Sequence, residues 1–169
     1  MKKLFLVAIT ILIAFAFSAC TKELTYEEML TQKKGWVVTA ATSNPAYEKL
    51  NGEKVFDLYK NYFEKYELDD IYFYEKDGAL KVDPKEIGEW GNQAVTTLGA
   101  WVLDYPSLTT KVPGFYDKNS DGTWTMDKVT ITHLEENTLQ YTYTWNATRK
   151  NTNAKDDEIY TWTFTFSKK

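Results

Sequence analysis

Tyr160-Thr161-Trp162-Thr163-Phe164-Thr165-Phe166-Ser167 alternates an aromatic residue with a hydroxyl residue at every step. A period of two is the repeat of an extended strand, whose side chains point in turn to opposite faces. Such a strand buries one face and wets the other. Upstream, Leu139 to Ala147 has the same pattern: Leu139, Tyr141, Tyr143, Trp145 and Ala147 are set against Gln140, Thr142, Thr144 and Asn146. Two strands that are each half apolar need a second layer, or a sheet closed on itself, to hide that face.

Working back from this pair, further strands are expected over 125–134, 107–112, 95–104, 79–83, 71–76 and 35–40. Turn signals separate them: Glu135-Glu136-Asn137, Asp117 to Gly122, Pro113-Gly114, Pro106 and Asp77-Gly78, the last a strong hairpin signal. Proline removes a backbone donor, so Ser43-Asn44-Pro45 is expected to end the first strand. Val55, Leu58, Tyr59, Tyr62, Phe63 and Tyr66 recur at helical spacing, so a helix is expected over 55–66, with Asn51 capping its start. The expectation is a mainly β domain of eight antiparallel strands, closed as an up-and-down barrel, with one helix between strands one and two. An antiparallel β-sandwich is the alternative, although sandwiches more often pass from the first strand straight into a hairpin.

The N-terminus has a different character. Lys2 and Lys3 precede an apolar run from Leu4 to Phe17, interrupted only by Thr10. That run is shorter than the about 20 residues a membrane-spanning helix needs. Together with small Ser18 and Ala19 it reads as a secretory signal. Phe17-Ser18-Ala19-Cys20 resembles the bacterial lipobox, with Phe17 where an aliphatic residue is usual. Cys20 is the single cysteine of the chain. The resemblance implies cleavage before Cys20 and its acylation; two or more acyl chains hold a protein stably to a membrane. The expected division is a signal peptide over 1–19, a lipidated tether over 20–34 with a short helical turn near Tyr26 to Leu30, and a barrel over 35–169. Without Lys2 and Lys3 the chain carries 18 basic and 24 acidic residues, a net charge of −6. Such a surface repels phosphate backbones, so nucleic acid is not an expected partner.

Several short motifs resemble the bacterial lipocalin-like (calycin-type) lipoproteins. They are Gly35-Trp36, Ser43-Asn44-Pro45-Ala46, Leu68-Asp69-Asp70-Ile71-Tyr72 running into Lys76-Asp77-Gly78, and Gly99-Ala100-Trp101. The resemblance implies an up-and-down barrel with a helix against one end or flank, in the cell envelope, lipid-anchored in the outer membrane of a Gram-negative bacterium. It names no ligand and no cofactor.

Trp36, Tyr141, Tyr143, Trp145, Tyr160, Trp162 and Phe164 are expected to share one interior. Buried Tyr and Trp need partners for their polar tips, and an aromatic cavity with a few hydroxyls suits a small apolar or amphipathic ligand. Eight strands also make a barrel that side chains alone can fill. Two functions are therefore open: uptake of a small hydrophobic molecule, or a solid barrel whose loops, such as Arg149 to Glu158, contact a glycan or a protein. Asp117, Asn119 and Asp121, followed by Gly122, match the start of a calcium loop, but Lys128 stands where the bidentate Glu belongs, so a plain hairpin turn is expected. His133 is the one histidine and reads as a strand-end packing residue. With one histidine and no free thiol left, zinc sites of the usual His/Cys types and Ser-His or Cys-His nucleophile pairs are almost excluded. The acidic clusters Asp69-Asp70, Glu135-Glu136 and Asp156-Asp157-Glu158 sit at turns, where solvated carboxylates are ordinary. No catalysis is expected.

Overall fold

The computed structural model describes residues 23–49, 51–63, 69–85, 94–115, 124–146 and 158–169. The alternating pair leads the fold. β9 (Thr138–Asn146) and β10 (Ile159–Lys168) are antiparallel neighbours, with Trp145 opposite Tyr160, Tyr143 opposite Trp162, Tyr141 opposite Phe164 and Leu139 opposite Phe166. All eight side chains are buried. The threonines between them lie on the outer face, where Thr144 and Thr161 share a 3.1 Å hydrogen bond.

β10 also pairs with β1 (Trp36–Glu48). β1 is 13 residues long and runs through Pro45 to Glu48, so proline does not end it as expected. The Asn44–Pro45 bond is cis. A bulge between Val38 and Ala40 shifts the alternation by one, so that Trp36 and Val38 are buried before it and Ala41 and Ser43 after it. The far end of β1 provides an edge for β2 (Lys54–Asp57), a strand the periodicity had assigned to the helix. The helix α2 is consequently one turn, Leu58–Asn61, capped by the Asp57 side chain on the Lys60 amide. Asn51 does not cap it; its side chain accepts from the Glu53 amide in a local turn. The helix lies between the first two barrel strands as expected, but Val55 and Phe56, a β-branched and an aromatic residue, extend instead.

β3 (Ile71–Tyr74) pairs with β1 and with β4 (Ala79–Asp83) across the Asp77-Gly78 turn, where Gly78 takes φ +86°. β5 (Thr96–Ala100) pairs with β4; β6 (Val102–Asp104) pairs with β7 (Ser107–Thr110); β7 pairs with β8 (Asp127–Leu134); and β8 pairs with β9. The sheet order is β5-β4-β3-β1-β10-β9-β8-β7-β6, so β5 and β6 stand at its two ends. They are the two halves of the single strand expected over 95–104, parted at Trp101. One strand shared between both ends brings the sheet almost to closure as an eight-position up-and-down barrel. Trp101 is held at the break by its own amide on the Gly78 carbonyl (2.9 Å) and its indole on the Glu75 carbonyl (3.0 Å).

Connections at one end, the base, are tight: 75–78, 105–106 and 135–137. At the other end, the mouth, the connections are longer and carry α2. A second helix, α1 (Tyr26–Leu30), packs on the base. It begins with a reciprocal capping box between Thr25 and Glu28 and ends with Leu30 fully buried. The expected tether therefore contains a helix that belongs to the barrel from Thr25 onward. The leader, Cys20, the calcium-loop candidates Asp117, Asn119 and Asp121, and the loop 149–157 lie outside the described residues.

Candidate functional site

Strict alternation aims the aromatic residues of β9 and β10 inward, and the barrel interior is their meeting place. Of the seven residues expected there, six come together. Trp145 stacks on Tyr160 with centroids 5.2 Å apart and meets Trp162 edge-on at 5.4 Å; Tyr141 meets Phe164 at 5.4 Å. Tyr143 reaches the group through Phe115, 5.1 Å away. The seventh, Trp36, is buried but lies at the base, where its indole donates to the Leu30 carbonyl at 3.0 Å. It fixes α1 and takes no part in the aromatic column.

Among the described residues four further rings join them toward the mouth: Tyr47, Tyr62, Phe63 and Phe115. Phe115 lies 4.9 Å from Trp162, Tyr62 5.3 Å and Tyr47 5.7 Å; Phe63 reaches both Trp162 and Phe164. None of them sits in an alternating stretch, so strand periodicity gives no signal for them. Tyr62 and Phe63 follow the one-turn helix. Phe115 follows Pro113-Gly114, where Gly114 has φ +79° and packs so closely on Phe63 that a Cβ there would come within 2.2 Å of Cε1.

Two sets of polar tips stand out in the interior. Tyr143 donates to Asp127 Oδ1 at 2.9 Å, Tyr160 to Glu158 Oε2 at 2.5 Å, and Tyr74 shares 3.0 Å with Thr110 Oγ1. Burial, then the hydrogen bond to Glu158, raises the Tyr160 phenol above its ordinary range. Burial likewise lifts Tyr74 to about 12, opposed by Thr110. The second set is buried and, among the described residues, without a protein partner: Tyr141 Oη, Trp145 Nε1 and Trp162 Nε1. An unmet buried donor costs about 1–3 kcal/mol, so three of them in one interior are a substantial burden. Burial first, and then the hydroxyls of Tyr74 and Tyr72, push the Tyr141 phenol well up, so it stays protonated and able to donate.

His133 is not a packing residue. A bulge between Ile131 and His133 turns it to the outer face, where Nε2 lies 3.5 Å from Glu135 Oε1. Among the described residues no group of three or more His, Cys, Asp or Glu is placed to hold a metal ion. Compared with known proteins, the chain matches no family model and no curated protein sequence.

Proposed function

We propose that this chain is a lipid-anchored, extracytoplasmic, lipocalin-like protein whose barrel takes up a small apolar or amphipathic molecule without chemical change. The observation that carries this reading is the set of three polar tips, Tyr141 Oη, Trp145 Nε1 and Trp162 Nε1, that find no partner among the described residues of an interior rich in aromatic rings. Indole N–H groups only donate, and a phenol kept protonated also donates. The fitting guest is therefore neutral and flat, with a hydrogen-bond acceptor such as a carbonyl. Its way in is the mouth, where Tyr62, Phe63 and Phe115 cover Trp162. The lipobox-like Phe17-Ser18-Ala19-Cys20 supports anchoring at Cys20 in the cell envelope, in the outer membrane of a Gram-negative host.

Calorimetric titration with 1-tetralone and with tetralin, which has the same ring frame but no carbonyl, tests the uptake. Saturable binding of the ketone, about threefold to tenfold tighter than the hydrocarbon, is expected for one net hydrogen bond. No saturable heat with either probe, together with a native mass equal to the protein alone, would overturn it. Labelled palmitate incorporation lost in Cys20→Ala tests the anchor; undiminished label sinks it.

The second reading, a solid barrel that works through its loops, is supported by the packing itself. Trp162, Phe164 and Tyr141 are essentially inaccessible and interlock with their neighbours. Failure of both probes, with binding of a glycan or protein lost on replacing residues 149–158, would favour it.

A further inference from the structure

The exposed large apolar side chains of the described residues fall into two groups. Phe56, Val95 and Ile159 lie toward the mouth. Leu24, Tyr26, Val102 and Tyr105 lie at the base. The base group centres on one ring pair. Tyr26 of α1 and Tyr105 of the β6–β7 turn stack with centroids 3.7 Å apart and planes within 4°. Val102, at the start of β6, faces outward and is 60% exposed. Leu24 immediately precedes the Thr25 cap. Exposed apolar side chains gathered at one end of a barrel point to an interaction surface there.

The chain length to Cys20 decides what covers it. Thr25 is five residues from Cys20, and a chain spans at most about 3.6 Å per residue, or roughly 18 Å. No slack is added after Thr25, because α1 is pinned to the barrel. Trp36 Nε1 donates to Leu30 O, Lys168 Nζ donates to Met29 O at 2.9 Å, and Leu30 is wholly buried. A lipid on Cys20 would hold the base within that short reach of the bilayer.

We infer that the base of the barrel rests on the membrane carrying the Cys20 lipid, with Leu24, Tyr26, Val102 and Tyr105 at headgroup depth and the mouth turned away into the aqueous phase. This rests on the anchor reading above. Tyrosine suits headgroup depth, where its ring is half in hydrocarbon and its hydroxyl in water. The charges around the patch are of both signs: Lys33, Lys34 and Lys169 stand with Glu23, Glu27, Glu135 and Glu136, all exposed. The contact is therefore with the bilayer interface itself and does not require anionic lipid. The orientation leaves Tyr62, Phe63 and Phe115 free to admit a guest from solution.

The test uses the full lipidated chain in phosphatidylcholine vesicles, spin-labelled through Val102→Cys or, at the mouth, through Phe56→Cys. Collision with a water-soluble nickel chelate is expected to be several-fold lower at position 102 than at position 56, and collision with oxygen dissolved in the bilayer higher. Tyr26→Ser/Tyr105→Ser should restore chelate access at 102 while the protein still floats with the vesicles. Protein that floats but gives equal access at the two positions overturns the orientation alone. Protein that does not float overturns the anchor, and the orientation with it.

Discussion

Trp162 and Phe164 are two residues apart, both buried, and differ in one respect that matters. Phe164 is all hydrocarbon, whereas Trp162 buries a donor with nothing to receive it. Phe164→Ala should cost about 3–5 kcal/mol, the usual result of removing a core ring. Trp162→Phe loses packing but also removes the unmet donor, and the two terms oppose each other. Its net change in the ligand-free protein is expected within about 1 kcal/mol, with weaker tetralone binding. Urea midpoints at constant slope measure both. The glycines offer a second contrast. Gly78 and Gly114 both have positive φ, but a Cβ at Gly78 meets open space while one at Gly114 strikes Phe63. Gly78→Ala should cost about 1–2 kcal/mol for the left-handed backbone alone. Gly114→Ala should cost more and displace Phe63, seen as a change in the near-ultraviolet signal of the mouth aromatics. Such differences could not be read from residue types. Which rings meet inside was legible for six of seven, because alternation aims them; which polar tips go unmet depends on distances across the barrel.

At the scale of elements, legibility followed periodicity where one period was possible. Residues 139–147 and 160–167 admit only a strand, and β9 and β10 match them within a residue or two. Residues 55–66 satisfied a helical spacing, yet Lys54–Asp57 extends because it folds back on the end of β1 across the turn at Asn51-Gly52, a local hairpin that the helical spacing masked. Pro45 was read as a stop, but its missing donor falls where the β1–β2 register is interrupted between Thr42 and Tyr47 and just past the last β1–β10 pair at Asn44, so no ladder bond is lost. α1 was legible as a helical turn but not as part of the barrel. Its role follows from Leu30, whose burial and carbonyl bond to Trp36 plug the base. Leu30→Ala should therefore destabilise the whole domain by about 2–5 kcal/mol, as a core truncation does, and not merely loosen a tail. Thr25→Ala, which removes the cap but leaves the plug, should cost about 1 kcal/mol. Thermal unfolding of the two variants separates a structural helix from a tether: equal, negligible shifts would contradict the docking described here.

For the whole molecule, closure places the end of the last strand beside the first helix, and so puts a lysine where it is partly dehydrated. Lys168 Nζ donates to Met29 O and Glu136 O and sits 4.3 Å from the centre of the Trp36 ring. Burial lowers its pKa to about 8, although Glu136 pulls the other way. A depressed lysine means the folded chain binds fewer protons than the unfolded chain between about pH 8 and the ordinary lysine value of 10.5. Stability must therefore rise with pH once Lys168 begins to discharge. The buried tyrosines act in the opposite sense. Tyr74 at about 12, with Tyr141 and Tyr160 also raised, keeps protons in the folded state that the unfolded chain gives up near 10, the ordinary tyrosine value. Their contribution is complete below that value and is lost as pH climbs through the folded values. The two opposed slopes place an alkaline maximum of stability near pH 9–10, on the ordinary and shifted values together. Denaturant midpoints taken stepwise from about pH 7.5 to about 11.5 should trace a rise and then a fall. Lys168→Met should flatten the rising arm and leave the falling arm in place, whereas Tyr74→Phe should soften only the fall. A profile that falls steadily from neutral pH, or a rising arm unchanged in Lys168→Met, would show that the lysine is fully hydrated and that the base is more open than the contacts of α1 and β10 imply.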